Sequence, residues 1–230
     1  MIDYIDDYKL KSFLSFKIRT GLLYDLSHTE FPSMLYAWNK GSILTMENPK
    51  QRSTYFGYIF SGRTILETPY TNSTLIEGQY FSINSEFTLT GGCGVLIERS
   101  NYKGMNLIGG PLEDEGRLKY IDGCTDTLLL APPKFGEACL NALFFPENVN
   151  QSPHKHPSFR AGIVAKGRGE CVVKDSVIAL EPGDIFIIPG NSEHNFRTKD
   201  EKLSVIAFHP DSDFGPTDEN HPMINRTFII

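Results

Sequence analysis

The sequence predicts an all-β protein made of two tandem copies of one barrel, with a helical segment in front of them. Three observations predict it. From about residue 38 the chain breaks into short apolar runs rich in β-branched and aromatic residues, separated by Gly, Pro, Asn and Asp. Laid against itself at an offset of 105 residues, the chain repeats: Gly57 falls on Gly162, Gly62 on Gly167, Arg63 on Arg168, Gly78 on Gly183 and Phe81 on Phe186. Three of the six histidines, His154, His156 and His194, gather inside the second copy.

In chain order, residues 1–30 carry Ile2, Ile5, Tyr8, Leu10, Phe13, Leu14 and Phe16 at helix-like intervals with no proline among them, which predicts the helix. His28 stands apart from the other histidines and reads as a surface or capping residue. Residues 31–110 form the first barrel. At the same offset, His154 maps to Pro49, His156 to Gln51 and His194 to Leu89, none of them a good transition-metal ligand. The first copy is therefore expected to be structural and metal-free. Residues 111–137 read as a connector, with a solvated charge run at 112–117 and an apolar stretch at 127–131 that predicts a strand. Residues 138–230 hold the second barrel and a turn-rich tail. Asp211, Asp213, Asp218 and Glu219 in that tail lack the glycine and closing glutamate of a calcium loop. His221 reads as a loop residue.

Composition excludes several functions. The 230 residues are 40% hydrophobic and 22% charged, as in ordinary globular domains. The net charge of −6 gives no electrostatic basis for nucleic-acid binding. Cys93, Cys124, Cys139 and Cys171 make no C-x2-C pair, so a zinc knuckle or disulfide framework is not expected, and free thiols in a reducing compartment are. No run approaches the ~20 apolar residues of a membrane span, and residues 1–13 lack the apolar core of a secretory signal. The reading is a cytoplasmic protein whose partner is a small molecule, with a homodimer as an open option.

His154 and His156 are two apart, so a strand puts both on one face. The turn formers at 189–193 can fold His194 back beside them. Three neutral imidazoles on one face can hold a divalent ion and leave its other positions open. These residues sit in two patterns: His154, His156 and Gly167, then Gly183, Pro189 and His194, with Asn191 where a second glycine is usual. Asn also tolerates the left-handed turn. The patterns resemble the two signature motifs of the cupin superfamily over about residues 139–210. The resemblance implies double-stranded β-helix (jelly-roll) barrels, a two-barrel bicupin, and a metal held by His154, His156 and His194. It also implies an acidic ligand at position 160, where this chain has Arg160.

Arg160 allows two readings. It points outward to a surface partner, or it faces the ion and is compensated by Glu170, Asp184, Glu193 or a bound anion. In the second case its fork suits a substrate carboxylate. His209, on one strand face with Val205 and Ala207, reads as a fourth ligand, a base beside the metal, or a strand-end residue bonded to a loop. Cupins with three histidines and no acidic ligand include thiol dioxygenases and diketone- or gentisate-type ring-cleaving dioxygenases. By resemblance the first expectation is an iron-dependent dioxygenase acting on a small carboxylate, with Arg160 and His209 catalytic. Nickel, manganese, cobalt, copper or zinc also suit the ligands. The alternatives are a metal-dependent isomerase or lyase and a non-catalytic small-molecule sensor.

Overall fold

The computed structural model describes residues 12–174, 176–221, 223–224 and 227–230. Among the described residues, twenty strands make two barrels of matching topology, each built from a large and a small antiparallel sheet. In the first, β2 (Gly21–Asp25), β3 (Ser33–Trp38), β5 (Ser53–Ser61), β8 (Tyr80–Ile83), β10 (Cys93–Ser100) and β11 (Leu107–Gly109) pair in the order β11-β8-β5-β10-β3-β2. Facing them, β4 (Ile43–Met46), β6 (Arg63–Glu67), β7 (Asn72–Ile76) and β9 (Phe87–Thr90) run β4-β9-β6-β7. In the second barrel the large sheet holds β1 (Leu14–Phe16), β12 (Leu118–Lys119), β13 (Thr125–Leu130), β14 (Cys139–Phe145), β15 (Arg160–Gly167), β18 (Ile185–Ile188) and β20 (Leu203–His209). Its order is β1-β18-β15-β20-β14-β13-β12. The small sheet is β17 (Ser176–Leu180), β16 (Gly169–Val173) and β19 (His194–Arg197).

The helix expected at residues 1–30 is not present over the described part. Residues 12–30 hold β1 and β2 instead, and residues 1–11 lie outside the described residues. The apolar spacing misled because Phe13, Leu14 and Phe16, close in sequence, are apolar for separate packing reasons. Leu14 and Phe16 pack toward the first barrel, whereas Phe13 stacks on Phe186 inside the second, with ring centroids 5.9 Å apart. Pairing with β18, Leu14 opposite Ile187 and Phe16 opposite Ile185, covers an edge that would otherwise stand open.

The two large sheets pack back to back. Their shared core joins Leu35, Ala37, Phe56, Val95 and Ile97 of one barrel to Ala161, Ile163, Ile185, Ile206 and Phe208 of the other. Phe56 and Phe208 meet across it at 5.0 Å. Strand alternation then aims the remaining side chains of β15 and β20 into the second barrel. There Val164, Phe186, Phe196 and Val205 form a separate core. A third core, with Trp38, Phe81, Leu89 and Leu96, fills the first barrel.

The repeat has a physical basis at its glycines. Gly57 pairs across strands with Phe81, and Gly162 with Phe186. A Cβ on Gly57 would lie 2.2 Å from the Phe81 ring, and one on Gly162 would lie 1.8 Å from the Ile206 carbonyl oxygen. Each barrel thus needs a glycine under its central aromatic ring. We expect Gly57→Ala to cost about 1–3 kcal/mol by overpacking, read from denaturant unfolding. Gly162→Ala should cost more, because backbone at Ile206 cannot swing away as a ring can. Equal, near-zero costs would refute this account of the repeat.

Candidate metal centre

The centre begins with a backbone contact. His154 and His194 form an isolated antiparallel bridge and exchange both hydrogen bonds, His154 N–H to the His194 carbonyl at 3.0 Å and the reverse at 2.9 Å. His156 is fixed from the same loop, its carbonyl accepting the Asn191 N–H at 2.7 Å. Asn191 is left-handed, with φ of 59°, as its place in the turn requires. Ser192 Oγ donates to the Ser12 carbonyl at 2.9 Å, so the segment preceding β1 supports this loop.

These restraints bring one potential ligand atom from each of His154, His156 and His194 within 4.8 Å of the other two. Three nitrogens so placed could share one divalent ion. Their ring centroids are 4.6–5.3 Å apart. Nδ1 of His154 lies 2.9 Å from the Ser152 carbonyl oxygen, and Nδ1 of His194 lies 2.9 Å from that of Ser192. A carbonyl only accepts, so each Nδ1 carries the proton and each Nε2 keeps its lone pair for an ion. Burial, with Arg160 and the other histidines adding, pushes His156 down to about 3. Burial likewise pushes His194 down to about 4, against the pull of its bond to Ser192. Neutral imidazoles with free lone pairs fit a divalent metal. Among the described residues this is the one group of three potential ligands so placed.

Arg160 faces inward. It is 8% exposed and lines the same cavity as the three histidines. Its compensating carboxylate is Asp211, at 3.5 Å, and none of the three acids expected from the sequence. Glu170 pairs with Arg197 and Lys199, and Asp184 pairs with Lys17. Asp211 lies just past β20 in a turn-rich tail, where spacing carries no signal for it. His209 also lines the cavity, its ring centroid 6.2 Å from that of His156, but it falls outside the triad of ligand atoms. Burial, then Arg160 and His156, hold it well below its ordinary pKa, so it is a neutral base. Tyr120, at the end of β12, and buried Gln151 complete the polar wall. Tyr120 comes from the connector and belongs to neither motif.

The cavity holds about 30 Å³, room for about one or two waters. A wider surface groove, about 360 Å³, lies elsewhere on the second barrel and is lined by Arg168, Glu170, Arg197, Lys199, Asp200 and Glu201. Its charges largely pair with one another, and it offers no histidine. The cysteines are all free. Burial pushes Cys124 up to about 11 and Cys139 and Cys171 to about 12, so these three are thiols at neutral pH. In the first barrel, Leu89, at the position of His194, is fully buried in the apolar core, and Pro49–Gln51 forms a 3-10 turn. No helix among the described residues is long and apolar enough to cross a membrane.

Comparison with known proteins follows the same lines. Residues 144–209 match the cupin domain family model. No curated protein matched. A cupin 2 conserved barrel domain protein from Leptotrichia buccalis is 16% identical, with a TM-score of 0.58 over 87% of this chain and 89% of that one. Salicylate 1,2-dioxygenase from Pseudoaminobacter salicylatoxidans, solved as adducts with gentisate, is 8% identical, with a TM-score of 0.58 over 78% and 68%. The Bacillus subtilis oxalate decarboxylase, studied for its Mn(II) centers, is 12% identical, with a TM-score of 0.55 over 90% and 79%. Identities this low establish a shared fold.

The depressed histidines set a pH dependence. Folded pKa values of about 3 and about 4 lie below the ordinary 6.5. As pH falls below 6.5 the unfolded chain therefore takes up protons that the folded site refuses. Stability of the metal-free protein should be full above pH ~6.5 and fall progressively toward pH ~4. His194→Gln should flatten that fall in Tm. An unchanged slope in the variant would show that His194 is not its source.

Proposed function

With its second half a cupin domain inside a two-barrel cupin fold, we propose that the chain is a metal-dependent enzyme, a mononuclear non-haem dioxygenase acting on a small anionic organic substrate. The observation that carries the reading is the pairing of three converging imidazoles with a buried arginine in one cavity and no carboxylate among the candidate ligands. His154, His156 and His194 hold the ion, iron first among the divalent metals that accept such a set. Iron held there would supply open coordination and one-electron redox chemistry for substrate and dioxygen.

The chain's own residues do the rest. Arg160 receives the substrate carboxylate, because a guanidinium forks onto two oxygens and a buried one gains most from a counter-charge. His209, neutral and across the cavity from the ligands, accepts a proton from the bound substrate at a ring nitrogen. The apolar wall of Leu143, Phe186, Ile188 and Phe196 keeps water away from the reacting atoms. A second reading, isomerase or lyase chemistry with the metal polarising a carbonyl, draws on Tyr120 and His209, two proton carriers lining one cavity.

Purified protein should carry close to one transition metal per chain, held in the second barrel, and His156→Ala should carry almost none by elemental analysis. Two ions per chain, or unchanged content in the variant, would remove the basis of the proposal. Oxygen uptake with small carboxylates then separates dioxygenase from isomerase or lyase activity. Arg160→Gln should weaken carboxylate binding by about 1.5–3 kcal/mol, roughly ten- to a hundredfold. It should keep its metal, because the substitution removes a repulsion.

A further inference from the structure

The hydrogen bonds of Arg160 lie on one side of its guanidinium. Nη1 sits 2.6 Å from Ser158 Oγ and 2.9 Å from the Phe159 carbonyl oxygen, distances that use both of its hydrogens. The Ser158 carbonyl at 3.3 Å and Asp211 Oδ1 at 3.5 Å are longer contacts of the same atom. Ser158 Oγ in turn donates to Asp211 Oδ1. Ser158 is buried, whereas the Asp211 carboxylate that closes this chain of contacts is partly exposed. Nε makes no hydrogen bond and is buried. Leaving a charged donor buried and unpaired is costly, and a missing acceptor is the simplest remedy.

The volume beside it limits what that acceptor is. A cavity of about 30 Å³ takes few heavy atoms, so an aromatic acid enters only if the walls move. Resting on the reading that Arg160 receives the substrate, we propose that Ser158 and Asp211 are positioning residues that pin Nη1 and so present the Nε–Nη2 edge of Arg160 side-on to a short-chain carboxylate, of about two or three carbons, in the histidine cavity. A guanidinium pinned this way meets both carboxylate oxygens in parallel, with no rotamer freedom left to lose on binding.

The proposal makes an unusual sign prediction. Asp211 also acts electrostatically on Arg99 of the first barrel, which lends its own positive charge to the region. On charge alone, Asp211→Ala would therefore strengthen anion binding. As a brace, its loss weakens binding.

Acetate, pyruvate and benzoate are titrated calorimetrically into metal-loaded wild type, Ser158→Ala, Asp211→Ala and Arg160→Lys, with metal content and Tm measured on each. We expect pyruvate and acetate to bind wild type at least tenfold tighter than benzoate. Both brace variants should lose about tenfold in affinity with metal content unchanged. Arg160→Lys, which keeps the charge but not the planar edge, should lose at least as much. The proposal is overturned if Asp211→Ala binds more tightly, if Arg160→Lys binds like wild type, or if benzoate matches the short acids. If one brace variant fails to fold, the other and Arg160→Lys still decide. Absence of metal from wild type would instead refute the metal-enzyme reading and leave the anion titrations of the apoprotein to judge the brace.

Discussion

The back-to-back contact of the two large sheets is the constraint on which the rest depends. Once Ala161, Ile163, Ile206 and Phe208 are committed to the shared core, the pleat sends Arg160, Val164, Val205 and His209 to the opposite face. A one-residue slip in β15 or β20 would turn a guanidinium into an apolar interface and an alanine into the cavity. Both strands are hydrogen-bonded on both sides, which makes such a slip expensive. The chemistry of the second barrel is therefore positioned by its packing on the first.

The same packing creates an electrostatic problem inside the second barrel. A cationic side chain shares a small, largely apolar cavity with imidazoles suited to a cation. Like charges at that range in a poorly solvated space repel strongly. Keeping His156 and His194 neutral lowers the cost, and Asp211 offsets part of the rest. An anion bound between Arg160 and an ion would offset more. Such an arrangement would let Arg160 stand where the family resemblance implies an acidic ligand.

The two halves show how one topology accommodates different contents. Both place a glycine beneath a central phenylalanine, and both order their large sheets alike. Their interiors then part. Where the second barrel has His194, the first has Leu89, closed in by Trp38, Phe81 and Phe87. One barrel fills its interior with apolar side chains; the other keeps a small cavity lined by histidines.

What the sequence by itself determined is local and periodic. The repeat, the strand texture, the H-x-H spacing and the turn before His194 rest on neighbours in the chain, where backbone geometry acts directly. Tertiary structure decided what depends on residues far apart in the chain. It made strands of the described part of the expected helix, residues 12–30, where pairing with β18 and β3 outweighed a weak helical preference. It aimed Arg160 inward and gave it Asp211 rather than Glu170, Asp184 or Glu193. It brought Tyr120 from the connector to the cavity wall. Strand periodicity states that alternate residues face opposite ways. Which way is inside is settled only when the second sheet arrives to bury one of the two faces.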